Sequence, residues 1–179
     1  DVNPGFARTW LQRAAMRALF DLQTGGTVRV ELARADLFSS RAAASLLVYA
    51  DDFRKADWRD VHLVRIRCAL AGLAARFQAN GRTTFMTALA PANSSEYREW
   101  ARDPARLPPS RLGALLDGLA VPDARLDLAV RDAVARGVVD VYMPDDTHWS
   151  SAGHMLAARA IMERLLQLRG PAAEGSHAA

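Results

Sequence analysis

The 179 residues are half hydrophobic, enough for one domain with a real core and too few to favour two. The formal charge is +3, and because Lys55 is the single lysine, every other one of the 23 basic residues is an arginine. Those arginines are spread along the chain instead of forming a stripe, which argues against a nucleic-acid function, and no apolar run approaches the ~20 residues that span a bilayer.

One cysteine, Cys68, excludes an intrachain disulfide or a cysteine metal cluster. It lies on a helical pattern beside Ile66 and Leu70 and is expected to be buried as a small hydrophobe. The chain opens at Asp1 without a methionine, which reads as a processed or cut chain from which any signal peptide is already gone.

Residues 6–22 carry Trp10, Leu11, Ala14, Ala15, Ala18, Leu19 and Leu22 at helical spacing, and Gly25 and Gly26 stop that helix. "TVRVELA", 27–33, alternates apolar and charged residues as a half-exposed strand does. "SLLVYA", 45–50, is a continuous apolar run, the pattern of a strand covered on both faces. It runs into "DDFRKADW", where Asp51 and Asp52 stand at the carboxyl end of a buried strand, the place where open α/β sheets put ligand contacts. The plainer alternative is a loop with solvated carboxylates and a helix cap at Asp57.

From 60 to 78, Leu63, Ile66, Leu70, Leu73 and Phe77 make one helical stripe that Asn80 and Gly81 end. "TTFMTALAP", 83–91, is expected to be the next strand, and Ser94 or Ser95 to cap the helix that follows. After a proline-rich surface connection come helices near 111–119 and 124–136, then "VVDVYM" as a strand. The last helix, 151–168, has Met155, Ala158, Met162 and Leu165 on one face and ends before Gly170 and Pro171. Such alternation implies parallel pairing with right-handed crossovers. Residues 1–170 are expected to form a single domain and 171–179, with His177, a flexible tail.

The richest chemistry lies in "MPDDTHWSSAGHM", 143–155. In an extended loop, side chains at i and i+2 project to the same side, so the Asp146 carboxylate can meet a ring nitrogen of His148. That contact fixes the tautomer and stabilises the ring as it takes a proton from a hydroxyl. Trp149 would shield the pair from water, Asp145 would be a supporting or solvated neighbour, and Ser150 would cap the next helix. Asp146, His148 and His154 are three possible metal ligands. His154, in the first helical turn, has an easy route to solvent, so neither metal nor cofactor is expected. The alternative is a turn cap at Asp146 and a merely hydrogen-bonded His148.

At these residues the sequence resembles the SGNH-hydrolase superfamily, and within it the alginate O-acetyltransferase group of AlgX/AlgJ-like proteins. "DTHWSSAGHMLAARAI" looks like that group's D-x-H-W block with its following helix. "LAPANSSEYREW" and "LLVYADDFRKADW" are similar to earlier segments, although Asn93 stands near a place where the family often carries lysine. The resemblance covers roughly 45–168. It implies a flavodoxin-like three-layer sandwich around a central parallel sheet, with a sandwich incomplete at the C-terminus as the alternative, and a Ser-His-Asp triad in which Asp146 orients and His148 is general base. Asp51, Asp52 and Tyr97 are the expected substrate contacts. The implied reaction moves an acetyl group to or from hydroxyls of an exported polysaccharide in a Gram-negative periplasm, with exopolysaccharide-export proteins as possible partners.

In this family the nucleophile belongs to a G-x-S-x-S block after the histidine, and the chain contains no such block. Three explanations stand: a truncated catalytic domain, a substitute serine, or a domain that lost catalysis and kept sugar binding. Ser39 and Ser40 are the in-chain nucleophile candidates because they follow the strand "TVRVELA", although Leu37 and Phe38 stand where a G-D-S spelling would be needed, and a cap or loop role is the alternative. Without an activated serine, the His-Asp pair makes no acyl-enzyme. The expectation is therefore an O-acetyltransferase or acetylesterase, with an inert polysaccharide-binding module and an unrelated α/β protein as alternatives.

Overall fold

Strand propensity near the start of the chain is realised as a two-stranded ribbon. A computed structural model describes residues 26–40, 44–107 and 109–169. The helix expected over 6–22 and the tail 171–179 lie outside them. β1 (Thr27–Glu31) and β2 (Ser45–Tyr49) pair antiparallel, with Val28 opposite Val48 and Val30 opposite Leu46. The period of two puts these four side chains on one face, and Val30, Leu46 and Val48 are buried there.

Two expectations are corrected by this ribbon. Parallel neighbours need a crossover, usually helical, and among the described residues between the strands there is no helix, so the chain returns antiparallel. Nor is β2 covered on both faces: it alternates, and Tyr49 at its end is 40% exposed. Neither 83–91 nor 138–143 forms a strand: each holds only a one-residue bridge, Thr87 with Asp123 and Tyr142 with Trp149, and the second stretch contains a turn with Asp140 at φ +58°. The mixed helix and strand content fits the α/β class, and no central parallel sheet is found among the described elements.

A 3₁₀ turn at Ala50–Asp57 leads from β2 to α1 (Asp60–Gln78). The backbone N–H of Arg59 donates to His62 Nδ1 at 3.1 Å, so this helix start is not capped by Asp57. Gly81, at φ +67°, takes the left-handed conformation that stops the chain beyond it. α2 (Asn93–Glu96) is a single turn whose cap position is Ala92, and neither Ser94 nor Ser95 caps it. α3 (Leu112–Asp117) is nearly as short. Its carbonyls at Ala114 and Leu115 accept from the Arg67 guanidinium of α1, which satisfies groups that a short helix leaves open. α4 (Leu126–Ala135) and α5 (Ser151–Arg169) pack on each other.

The core joins the ribbon's apolar face to Leu32, Leu37, Phe38, Tyr97, Leu107, Val130, Val134, Val141 and Tyr142. Each such side chain contributes about 1.5–3 kcal/mol through burial. The helical stripes read from the sequence fare differently. On α1 only Leu63 and Ala74 are buried, Phe77 is 55% exposed, and Cys68 is exposed instead of buried. On α5, Gly153 and Ala157 face inward while Met155 and Met162 are exposed. Both helices are therefore only partly covered by the described residues.

Candidate active site

Residues 141–150 form a tight hairpin-like loop. Ser150 N–H donates to Val141 O at 3.2 Å and Met143 N–H to His148 O at 3.1 Å, which brackets the bridge between Tyr142 and Trp149. Asp146 N–H closes a turn onto Met143 O at 3.3 Å. Pro144, second in that turn, supplies the φ a β-turn wants there. Leu47 of β2 donates to Pro144 O at 3.0 Å, so the ribbon's edge holds the loop.

The Asp146 side chain folds over its own backbone. Its Oδ1 accepts from Thr147 N–H at 2.6 Å and His148 N–H at 3.3 Å, and meets His148 Nδ1 at 2.6 Å. The hydrogen bond from His148 is the main cause holding the Asp146 carboxyl below its ordinary value. With Nδ1–H facing the carboxylate, Nε2 is the nitrogen left to take a proton.

The pair is open to water: the His148 side chain is 78% exposed and that of Asp146 48%. Trp149 does not shield it. Its ring packs edge-on against Tyr142 at 6.2 Å and against His154 at 5.8 Å, which stiffens the loop from the core side. Ser150 caps α5 as expected, its Oγ accepting from Ala152 N–H at 3.0 Å while its hydroxyl donates to Asp140 O. Asp145 is exposed and pairs with Arg29 of β1 at 3.5 Å.

A cleft of about 230 Å³ adjoins the pair, lined by Ala90, Pro91, Tyr142, Thr147, His148, Trp149 and His154. The remaining expected site residues lie elsewhere. Asp52 is nearly buried, accepting from Lys55 Nζ at 2.6 Å and Ser94 Oγ at 3.2 Å. Asp51 is exposed beside Arg54. Tyr97 has no exposed surface; its ring sits between Phe38 and Tyr142, and burial pushes its hydroxyl up to about 12. Ser39 donates from both its N–H and its hydroxyl to the Asp140 carboxylate, and Ser40 follows it on that loop. No serine lines the cleft among the described residues, and no group of metal ligands occurs among them.

The sequence missed the support of the loop. Tyr142 OH donates to Pro91 O at 2.7 Å, which fastens one wall of the cleft to its floor. Asn93 donates to Leu47 O at 2.8 Å, so α2 and the loop grip the same residue of β2. Gly153 is a contact no Cβ fits: an added methyl would collide with Val141 O and come within 2.9 Å of Trp149 Cβ. A glycine inside a helix start costs propensity, and that was the available signal.

A family model described as the SGNH hydrolase-like domain of the acetyltransferase AlgX matches residues 47–179. The chain belongs to this family. The match takes in the end of β2 from Leu47, every helix described above and the whole D-x-H-W loop of the AlgX-like domain. No curated protein and no solved structure matches the chain. Among the described residues no helix is long and apolar enough to cross a membrane.

Proposed function

We infer that this AlgX-like domain transfers or hydrolyses acetyl groups on hydroxyls of an exported bacterial polysaccharide such as alginate, in the periplasm. Asp146 orients and His148 is general base. The observation that carries this reading is the 2.6 Å contact between Asp146 Oδ1 and His148 Nδ1 beside an open cleft. Nε2 accepts the proton of an attacking hydroxyl; its oxygen bonds to the acetyl carbonyl carbon while the donor's C–O bond breaks. The proton then passes to the departing alkoxide, and backbone N–H groups are the expected oxyanion donors. Ser39 and Ser40 remain the in-chain nucleophile candidates, and an acetyl donor and export proteins are the partners this role calls for.

A second reading is a polysaccharide-binding module without turnover, favoured by the lack of a serine in the described cleft lining. Labelling with a fluorophosphonate serine probe, followed by peptide mapping, separates the two. One labelled serine that disappears in His148→Ala identifies an acyl-transfer enzyme. A folded chain that takes no label and hydrolyses no small acetyl ester supports the binding module.

A further inference from the structure

The cleft beside His148 contains a second imidazole that the acyl-transfer reading leaves unused. His154 sits in the first turn of α5, and its Nδ1 lies 2.8 Å from Ser150 O. A carbonyl oxygen only accepts, so Nδ1 carries the proton and, in the neutral ring, Nε2 presents a lone pair. The Trp149 edge fixes the ring from the side, at 5.8 Å and nearly perpendicular. His148 is tied in the same sense, Nδ1 to Asp146. One cleft thus carries two imidazoles, each held through Nδ1, beside an apolar wall formed by Ala90, Pro91 and Trp149.

We propose that His154 is a specificity-determining residue: its Nε2 accepts a hydrogen bond from the hydroxyl next to the one His148 deprotonates, so the cleft selects adjacent hydroxyl pairs on a pyranose ring. Two acceptor nitrogens in one small cleft match two neighbouring O–H donors, and the apolar wall suits the C–H face of a sugar. A monohydric alcohol fills only the His148 position. The assignment rests on the acyl-transfer reading for which hydroxyl reacts, and binding of the pair stands apart from turnover.

The test is a titration of the folded protein with methyl mannopyranoside and its monodeoxy analogues, read from the imidazole signals in nitrogen–proton correlation spectra. Loss of one hydrogen bond to a bound hydroxyl is expected to weaken binding about tenfold. Wild type therefore prefers the parent glycoside over the analogue lacking the neighbouring hydroxyl. His154→Ala binds the two alike, and His154→Gln, whose Oε1 accepts, regains part of the preference. Equal discrimination by wild type and His154→Ala overturns the proposal, as does failure of folded wild type to bind the glycoside at all. Acetyl-ester hydrolysis with and without His148→Ala is scored separately. Turnover with unchanged discrimination in His154→Ala sinks only the specificity role; His154-dependent binding without turnover sinks only the enzyme reading.

Discussion

Glu96 is fully buried, and neither of its carboxyl oxygens has a hydrogen-bond partner. Arg131 of α4 comes only to 3.6 Å, an ion pair without a hydrogen bond. Burial raises the Glu96 carboxyl from 4.5 to about 7, against the pull of Arg131, and Asp127 raises it further. The fold thus favours the neutral acid. Its contribution is full below the unfolded value of 4.5 and is lost as pH rises through about 7. Glu96→Gln should remove that dependence, which amounts to up to about 3 kcal/mol. Urea unfolding near pH 5 and pH 8 (about these values) checks it: the same loss of stability between the two pH values in variant and wild type would discard the assignment. Asp146 and His148 give the other residue-level expectation. His148→Ala should lower acetyl-ester hydrolysis about 10²–10⁴-fold at unchanged stability, as loss of a general base on an exposed loop does. The proximity of that pair was legible because i, i+2 spacing and a Pro-Asp turn are local. The environment of Glu96 was not, because its burial depends on α4, three dozen residues away in sequence terms, roughly. Nor could spacing show that the Ser94 hydroxyl goes to Asp52 and not to a helix cap.

Helix ends were the most legible elements. The bounds of α1 match the expected 60–78, and α5 ends one residue past the expected 168, because stop residues act within a turn of themselves. The pairing of β1 with β2 was not legible: alternation fixes which side chains share a face, and says nothing of strand direction. Two substitutions test how α5 carries the loop. Gly153→Ala puts a methyl against Val141 O and the Trp149 ring; overpacking of this kind costs about 1–3 kcal/mol. Because the strain falls on the residue after His148, hydrolysis should fall as well, and both are measured on one preparation by thermal melting and ester assay. Ser150→Ala removes the bond from Ala152 N–H and the one to Asp140 O. A loss of about 1 kcal/mol is expected from the missing cap. A variant as stable as wild type would show that the backbone bonds of Ser150 suffice.

Across the whole molecule, apolar periodicity predicted helices better than it predicted burial. Met155 and Met162 share a face of α5 as the sequence implied, yet they are 66% and 55% exposed. The inward face is made of small residues: Gly153 lies against Val141 O and Trp149, and Ala157 packs with Ala124 and with Leu126 of α4. Met162→Lys should therefore change stability by no more than about 0.5 kcal/mol, where a core methionine would cost several; chemical unfolding distinguishes the two.

Five aromatic contacts run from Phe38 through Tyr97, with Trp100 beside it, to Tyr142, Trp149 and His154. Rings fixed in an asymmetric array absorb circularly polarised near-ultraviolet light unequally, and a ring that swings free does not. This row begins in the core and ends at the cleft, so its dichroism is an optical gauge of whether the D-x-H-W loop is seated. Tyr142→Phe, which frees the wall from Pro91 O, should dim that signal while the far-ultraviolet helical spectrum stays.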